Sequence, residues 1–167
     1  MQFLHLNELT EWCAERGAET TGAGITLAAP ARLAHGYRGR YANGQRSGRE
    51  PMTADALVAA LGEWQEALLW ITEWGVWPSS ENWPRYYAAR GDRGERLSLD
   101  AKPGHLFAAS ETSDLALFLM LVMEQAWGAH LLVIDAAGSL TRHITISHDE
   151  WFEFRSSEPT AFGNAVA

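Results

Sequence analysis

Apolar positions recur with two periods along this chain, and the switches between them predict its elements. Leu9, Trp12 and Cys13 share one helical face; Asn7 is a natural N-cap, Glu8 and Glu11 sit in the first turn, and Gly17 can stop the helix, which gives a helix over about 8–16. Thr53 caps a second helix, about 54–67, on which Leu57, Leu61, Trp64 and Leu68 repeat at spacings of three and four. The third and most hydrophobic helix, about 113–127, is capped by Thr112 or Ser113 and closed by Gly128. Leu115, Leu117, Phe118, Leu119, Leu121, Val122 and Met123 surround it on nearly all sides, as in a central, buried helix. Ser79 or Ser80 caps a further helix that carries Tyr86 and Tyr87 and ends at Gly91.

Strand patterns fall between these helices. Leu69 to Trp74 is rich in β-branched and aromatic residues, with Leu69, Ile71 and Glu73 on one face and Trp70, Thr72 and Trp74 on the other. His130 to Asp135 (HLLVID) is a near-continuous apolar run, the signature of a strand buried on both faces. A hairpin around Gly138 leads to a strand over Leu140 to Ser147, with Ile144 and Ile146 facing inward and His143, Thr145 and Ser147 outward. Phe3 to Leu6, Ile25 to Leu27 and an edge strand at Leu97 and Leu99 are weaker patterns. Ser147-His148-Asp149-Glu150 matches a capping box and predicts a last short helix docked by Trp151, Phe152 and Phe154. The sum is an α+β fold: one domain over 1–167, with a mixed sheet of about four to five strands, packed helices and a C-terminal hairpin. Gly36, Gly39, Gly44 and Gly48 among arginines predict a long surface loop over 30–50, and 156–167 reads as a frayed tail.

Composition changes this picture in three ways. With 167 residues and 47% apolar content, the chain can bury a core without disulfides or metals. The single cysteine, Cys13, excludes an internal disulfide. The stretch MQFLHLNELTEW has neither the basic nor the apolar region of a signal peptide, and the longest apolar run, Leu115 to Met123, is too short to span a bilayer, so the expectation is a cytoplasmic, soluble protein. The net charge of −8 is uneven: Arg32, Arg38, Arg40, Arg46 and Arg49 against Glu50 give 31–50 a balance of +4, and the rest carries −12. An acidic body disfavours nucleic acid and suits a basic protein partner. The arginine-rich stretch either grips a phosphate, carboxylate or acidic partner or pairs with the acidic body.

Candidate chemistry centres on Leu68 to Trp83, which holds Trp70, Trp74, Trp77 and Trp83, four of the eight tryptophans, with Glu73 and Glu81 among them. Carboxylates between aromatic platforms are what glycoside cleavage requires, but aromatic residues at this spacing more often fill a core or anchor an interface. His105, His143 and His148 with Asp149 and Glu150 offer acid–base groups, yet none stands at a metal-binding spacing; no cofactor or metal site is predicted. Cys13 lies on an apolar helix face, where a thiol is inert, and Ser79 and Ser80 lack the strand–turn–helix elbow of a nucleophile.

The stretches WPSSENW, PGHLF and SHDEWFEF together resemble an uncharacterised group of bacterial proteins with no assigned activity, over roughly residues 68–154. The resemblance implies no catalytic residues. The residues themselves point first to a non-enzymatic acidic protein-interaction domain, one form of which is an immunity-like inhibitor, binding through Trp77, Glu81, Trp83, Tyr86 and His105. The alternative is a small hydrolase or ligand-binding domain with a pocket near Glu73, Trp77, Glu81 and His105.

Overall fold

In the computed structural model, which describes residues 1–29, 33–41, 52–76 and 83–158, the strand Glu66–Glu73 is hydrogen-bonded on both sides and apolar on both faces. Leu69 and Ile71 point to one layer and Leu68 and Trp70 to the other, all four buried. The alternation read from the sequence holds as far as Ile71, because two layers must be satisfied at once; the register then shifts before Glu73, and Trp74 packs with the layer of Leu69 and Ile71 instead of that of Trp70.

In chain order the elements are β1 (Gln2–Leu4), α1 (Leu6–Glu15), β2 (Ala18–Thr21), β3 (Gly24–Leu27), β4 (His35–Arg40), α2 (Ala54–Ala59), β5 (Glu66–Glu73), α3 (Trp83–Gly91), β6 (Gly104–Ala108), α4 (Thr112–Glu124), β7 (Gly128–Ile134), β8 (Leu140–Ile146) and β9 (Trp151–Ser156). Seven strands form one sheet in the order β1-β6-β5-β7-β8-β9-β4, and every neighbouring pair is antiparallel. β2 and β3 make a separate hairpin. Residues of α2, α3 and α4 pack one face around Phe107, Phe118, Leu131 and Trp127, while α1 and the β2–β3 hairpin cover Leu68, Trp70 and Leu132 on the other. Among the described residues, no helix is long and apolar enough to cross a membrane.

An α+β architecture is what the pattern predicted, but the sheet is larger and wholly antiparallel where four to five mixed strands were expected. Three segments account for the difference. Gln2–Leu4 pairs with β6 on one edge. His35–Arg40, expected within a loop, is the opposite edge strand and pairs with β9. Its Gly39 lies flat over Phe152, where an added Cβ would stand 2.7 Å from the ring, so the glycine that argued against a strand is what lets this one seat. Trp151–Ser156, expected as a helix, is β9. Ser147 does use its hydroxyl on a backbone amide, that of Asp149 at 3.2 Å, but Glu150 takes φ +62° and the chain turns back into a strand. The same local hydrogen bond can start a helix or close a turn, and here the period-two burial of Phe152, Phe154 and Ser156 decides.

Other differences are of extent. Thr53 caps α2 by accepting from the Ala56 amide at 3.1 Å, as expected, but the helix stops at Ala59, and Gly62 at φ +62° turns the chain toward β5. α1 begins at Leu6, with the carboxylate of Glu8 accepting from the His5 amide at 2.7 Å, rather than after Asn7. Leu97 and Leu99 belong to no strand: Leu97 is exposed and Leu99 buried in the link between α3 and β6. The rest of the arginine-rich stretch, residues 42–50 with Arg46 and Arg49, together with Arg32 and the tail from 159 on, lies outside the described residues.

Candidate functional site

The helix side of the sheet brings Trp83, Tyr86 and His105 together, whereas Trp77 and Glu81 lie outside the described residues. Trp83 is half-buried, stacked on Tyr87 with centroids 5.8 Å apart and leaning on Trp127 at 5.0 Å. Tyr86 and His105 are 0% exposed. His105 Nδ1 donates to the Pro103 carbonyl at 3.2 Å, which leaves Nε2 to accept from the Tyr86 hydroxyl at 2.7 Å. That hydroxyl in turn accepts from Arg90 Nη1 at 2.9 Å. Burial, with the Arg90 charge beside it, drives the imidazole down to about 3, so it stays neutral. Arg90 is itself fully buried over the Phe3 ring and donates to the carbonyls of Lys102, Leu97 and Ser98. These groups answer one another inside a sealed core, apart from Arg90 Nε, which has no acceptor among the described residues. Neither Tyr86 nor His105 presents any surface to a ligand, and a pocket near His105 has no imidazole to use.

The remaining predicted groups are scattered. His148 Nδ1 meets Glu73 Oε2 at 2.9 Å at the end of β5. His143 instead pairs with His130 of the neighbouring strand: His130 Nε2 donates to the Ala23 carbonyl at 3.0 Å, so its Nδ1 accepts from His143 Nε2 at 3.0 Å. Burial lowers the pKa of both, that of His143 to about 3. This pair ties the tip of the β2–β3 hairpin to the sheet. Cys13 is buried and pushed up to about 11 by burial, an inert thiol. Among the described residues, no three His, Cys, Asp or Glu side chains are placed to hold a metal ion.

A cavity lies elsewhere. A groove of about 1320 Å3 runs between the α2–β5 connection, the start of α4 and the β7–β8 turn, with Trp64 and Ala60 in its wall and Arg142 among its lining residues. Arg142 occupies an inward position of β8, on the face of Ile144 and opposite Val133. It is only 8% exposed. Nη1 donates to the Glu63 carbonyl at 3.3 Å and to Thr141 Oγ1 at 3.1 Å, while among the described residues Nε, itself sealed from solvent, has no acceptor and Nη2 makes no hydrogen bond. No carboxylate pairs with it among the described residues. By contrast Arg16, beside two smaller cavities, is committed to Glu15 and Glu66 at 3.1 Å each. Glu63, Asp135 and Glu158 also line the groove, which leaves it acidic apart from its one guanidinium. Asp135 is occupied by the amides of Ala137 and Ser139, both at 2.9 Å.

The sequence pattern points to aromatic residues, histidines and acids as candidates, and Arg142 is not among them. A signal was present: in the alternation of β8, a charged residue stands on the same face as Ile144 and Ile146. An arginine on the buried side of a strand needs an acceptor, and the sequence does not say which. The chain matches no protein-family model, no curated protein and no solved structure.

Proposed function

We propose that this chain is a non-enzymatic acidic recognition domain that holds another protein, and that the Arg142 groove is where it does so. The observation that carries this reading is a buried arginine, without a carboxylate partner among the described residues, lining a groove of about 1320 Å3. Leaving a buried N–H without an acceptor costs about 1–3 kcal/mol, and burying a charge without a counter-ion costs more. Arg90 shares the unsatisfied Nε but is sealed in the core, whereas Arg142 lines a groove from which an outside partner can approach it. The acid–base groups argue against catalysis, because His105 is sealed and the His130–His143 pair is committed to a carbonyl. An inhibitor of immunity type, covering a basic surface with an acidic one, is one form this domain can take, and the net charge of −8 supports it.

The test is to pan displayed random peptides against the wild-type protein and against Arg142→Gln, with folding of both checked by circular dichroism. Sequences enriched on the wild type should lose binding to the variant. Enriched peptides that bind both proteins equally would place recognition elsewhere.

A further inference from the structure

We infer that the outer edge of β4 accepts an extended acidic segment of another protein as an added strand, a second recognition surface that does not depend on the Arg142 groove. The register with β9 sets which backbone groups of β4 are already used. Tyr41 donates to the Glu150 carbonyl at 3.2 Å, so in this antiparallel ladder Tyr37, Gly39 and Tyr41 turn their amides and carbonyls toward β9. Gly36, Arg38 and Arg40 turn theirs the other way. The Met52 amide agrees, donating to the Arg40 carbonyl at 3.2 Å from beyond that edge. Among the described residues the edge has no other partner, so the N–H and C=O of Gly36 and Arg38 and the N–H of Arg40 are open. A strand laid there continues the sheet.

The two glycines of β4 differ in what they answer to. Gly39 is required by the Phe152 ring beneath it, whereas Gly36 is exposed on the opposite face. Its φ is not positive, and a Cβ there would stand 3.8 Å from the Phe154 carbonyl, an ordinary contact. Neither conformation nor packing asks for glycine at 36, while a bare position on an edge lets another backbone come close. The sheet's other edge, β1, has three residues against the six of β4 and offers a shorter ladder.

Charge selects the strand. Arg38 and Arg40 are exposed on the face that β9 lines with Trp151, Glu153 and Arg155. The Arg38 guanidinium lies over the Trp151 ring, 4.0 Å from its centroid, which holds it in place beside the edge. Glu153 stands opposite Arg38 but is taken by Arg155 at 2.7 Å, and among the described residues no carboxylate pairs with Arg38 or Arg40. The acidic body leaves these two cations unmatched. Edge arginines keep a sheet from pairing with a copy of itself, because like charges would then face one another. An acidic strand turns the same cross-strand positions into attractive ones. Side chains alternate along a strand, so its acids must fall at every second position, and the residues between them pass on the side of Tyr37 and the Phe152 ring. The ligand is a segment of about five residues in which acidic and apolar side chains alternate.

The experiment uses the full chain and a library of nonapeptides in which Asp or Glu alternates with varied apolar residues. Two control libraries carry Lys in place of the acids, or the same acids grouped at one end. The alternating acidic library should yield binders and the lysine library none, and grouping the acids should weaken binding at least tenfold. Arg38→Glu combined with Arg40→Glu, both at exposed positions, should weaken the acidic binders at least tenfold and admit lysine peptides instead, a swap that misfolding does not produce. Hydrogen exchange reads the register: bound peptide should slow the amides of Gly36, Arg38 and Arg40 at least tenfold, whereas those of Tyr37 and Gly39 are protected already in the free chain. Arg142→Gln should change none of this, so failure of the groove reading and failure of this one are told apart. Absence of binders from the acidic library, grouped acids binding as tightly as alternating ones, or binding without protection of the three amides would overturn the inference. A dimer of the free chain that protects those amides would give the edge to a second copy and overturn it too. If no acidic peptide binds but a single-stranded oligonucleotide does, the two arginines serve phosphate and the inference falls.

Discussion

The Tyr86 hydroxyl donates to Nε2 of His105 across 2.7 Å while accepting from Arg90, so one oxygen fixes the tautomer of a buried imidazole and caps a buried cation. Tyr86→Phe keeps the ring packing against Phe118 and Trp127 but leaves His105 Nε2 without its hydroxyl donor, while Arg90 Nη1 keeps the Lys102 carbonyl. A buried group left unsatisfied costs about 1–3 kcal/mol, so the variant should lose about that much, or roughly 2–12 °C in Tm for a chain of this size. Urea and thermal unfolding measure it; a loss below about 0.5 kcal/mol would mean that the relay contributes nothing.

Stability should fall as the pH drops through the histidine range. His105 and His143 are held near 3 by burial and His130 is also lowered, while all three return to about 6.5 when unfolded. Below pH 6.5 the unfolded chain therefore binds protons that the folded chain refuses, and stability present above that pH is lost progressively toward pH 3. Each histidine contributes up to about 1.4 kcal/mol per pH unit. Urea midpoints between pH 7.5 and 4.5 should decline with this sign, and His143→Gln should flatten the slope. Midpoints unchanged between pH 6.5 and 5 would mean that these rings are not held neutral.

The two buried arginines should respond oppositely to an apolar replacement. Arg90→Met leaves the carbonyls of Leu97, Ser98 and Lys102 without their donor and should cost at least about 3 kcal/mol. Arg142→Met removes an unpaired charge from a half-satisfied site and should be neutral or stabilising by about 1 kcal/mol. Equal destabilisation, measured by chemical denaturation, would show that Arg142 is as structural as Arg90.

Gly104 is where β1, β6 and α1 meet most closely. A Cβ there would stand 2.9 Å from Leu9 Cδ1 and 3.1 Å from Leu4 Cβ. Gly104→Ala should cost about 1–3 kcal/mol through overpacking. Leu9→Ala should then be less damaging in that background than alone, a coupling that a double-mutant cycle reads directly. Strict additivity would mean that the two side chains do not compete for space.

Much of the fold was legible in local pattern. The apolar run of β7, the alternation of β5, the encircled α4 and the Thr53 cap each follow from forces acting within one segment: burial on one or two faces, and amides seeking acceptors. The edges were not legible. β4 and β9 hold one another by backbone hydrogen bonds, and a glycine-rich stretch or a cap motif says nothing about a partner more than a hundred residues away. The candidate site lay beyond reach for a related reason. Tyr86 and His105 looked like ligands because their residue types do chemistry, but only the tertiary arrangement shows that they satisfy each other. Arg142 was written on the apolar face of its strand for anyone counting alternate positions. Whether that arginine finds a carboxylate inside the protein or looks outward for one depends on which segments converge around it, since electrostatic pairing is settled by distance in space.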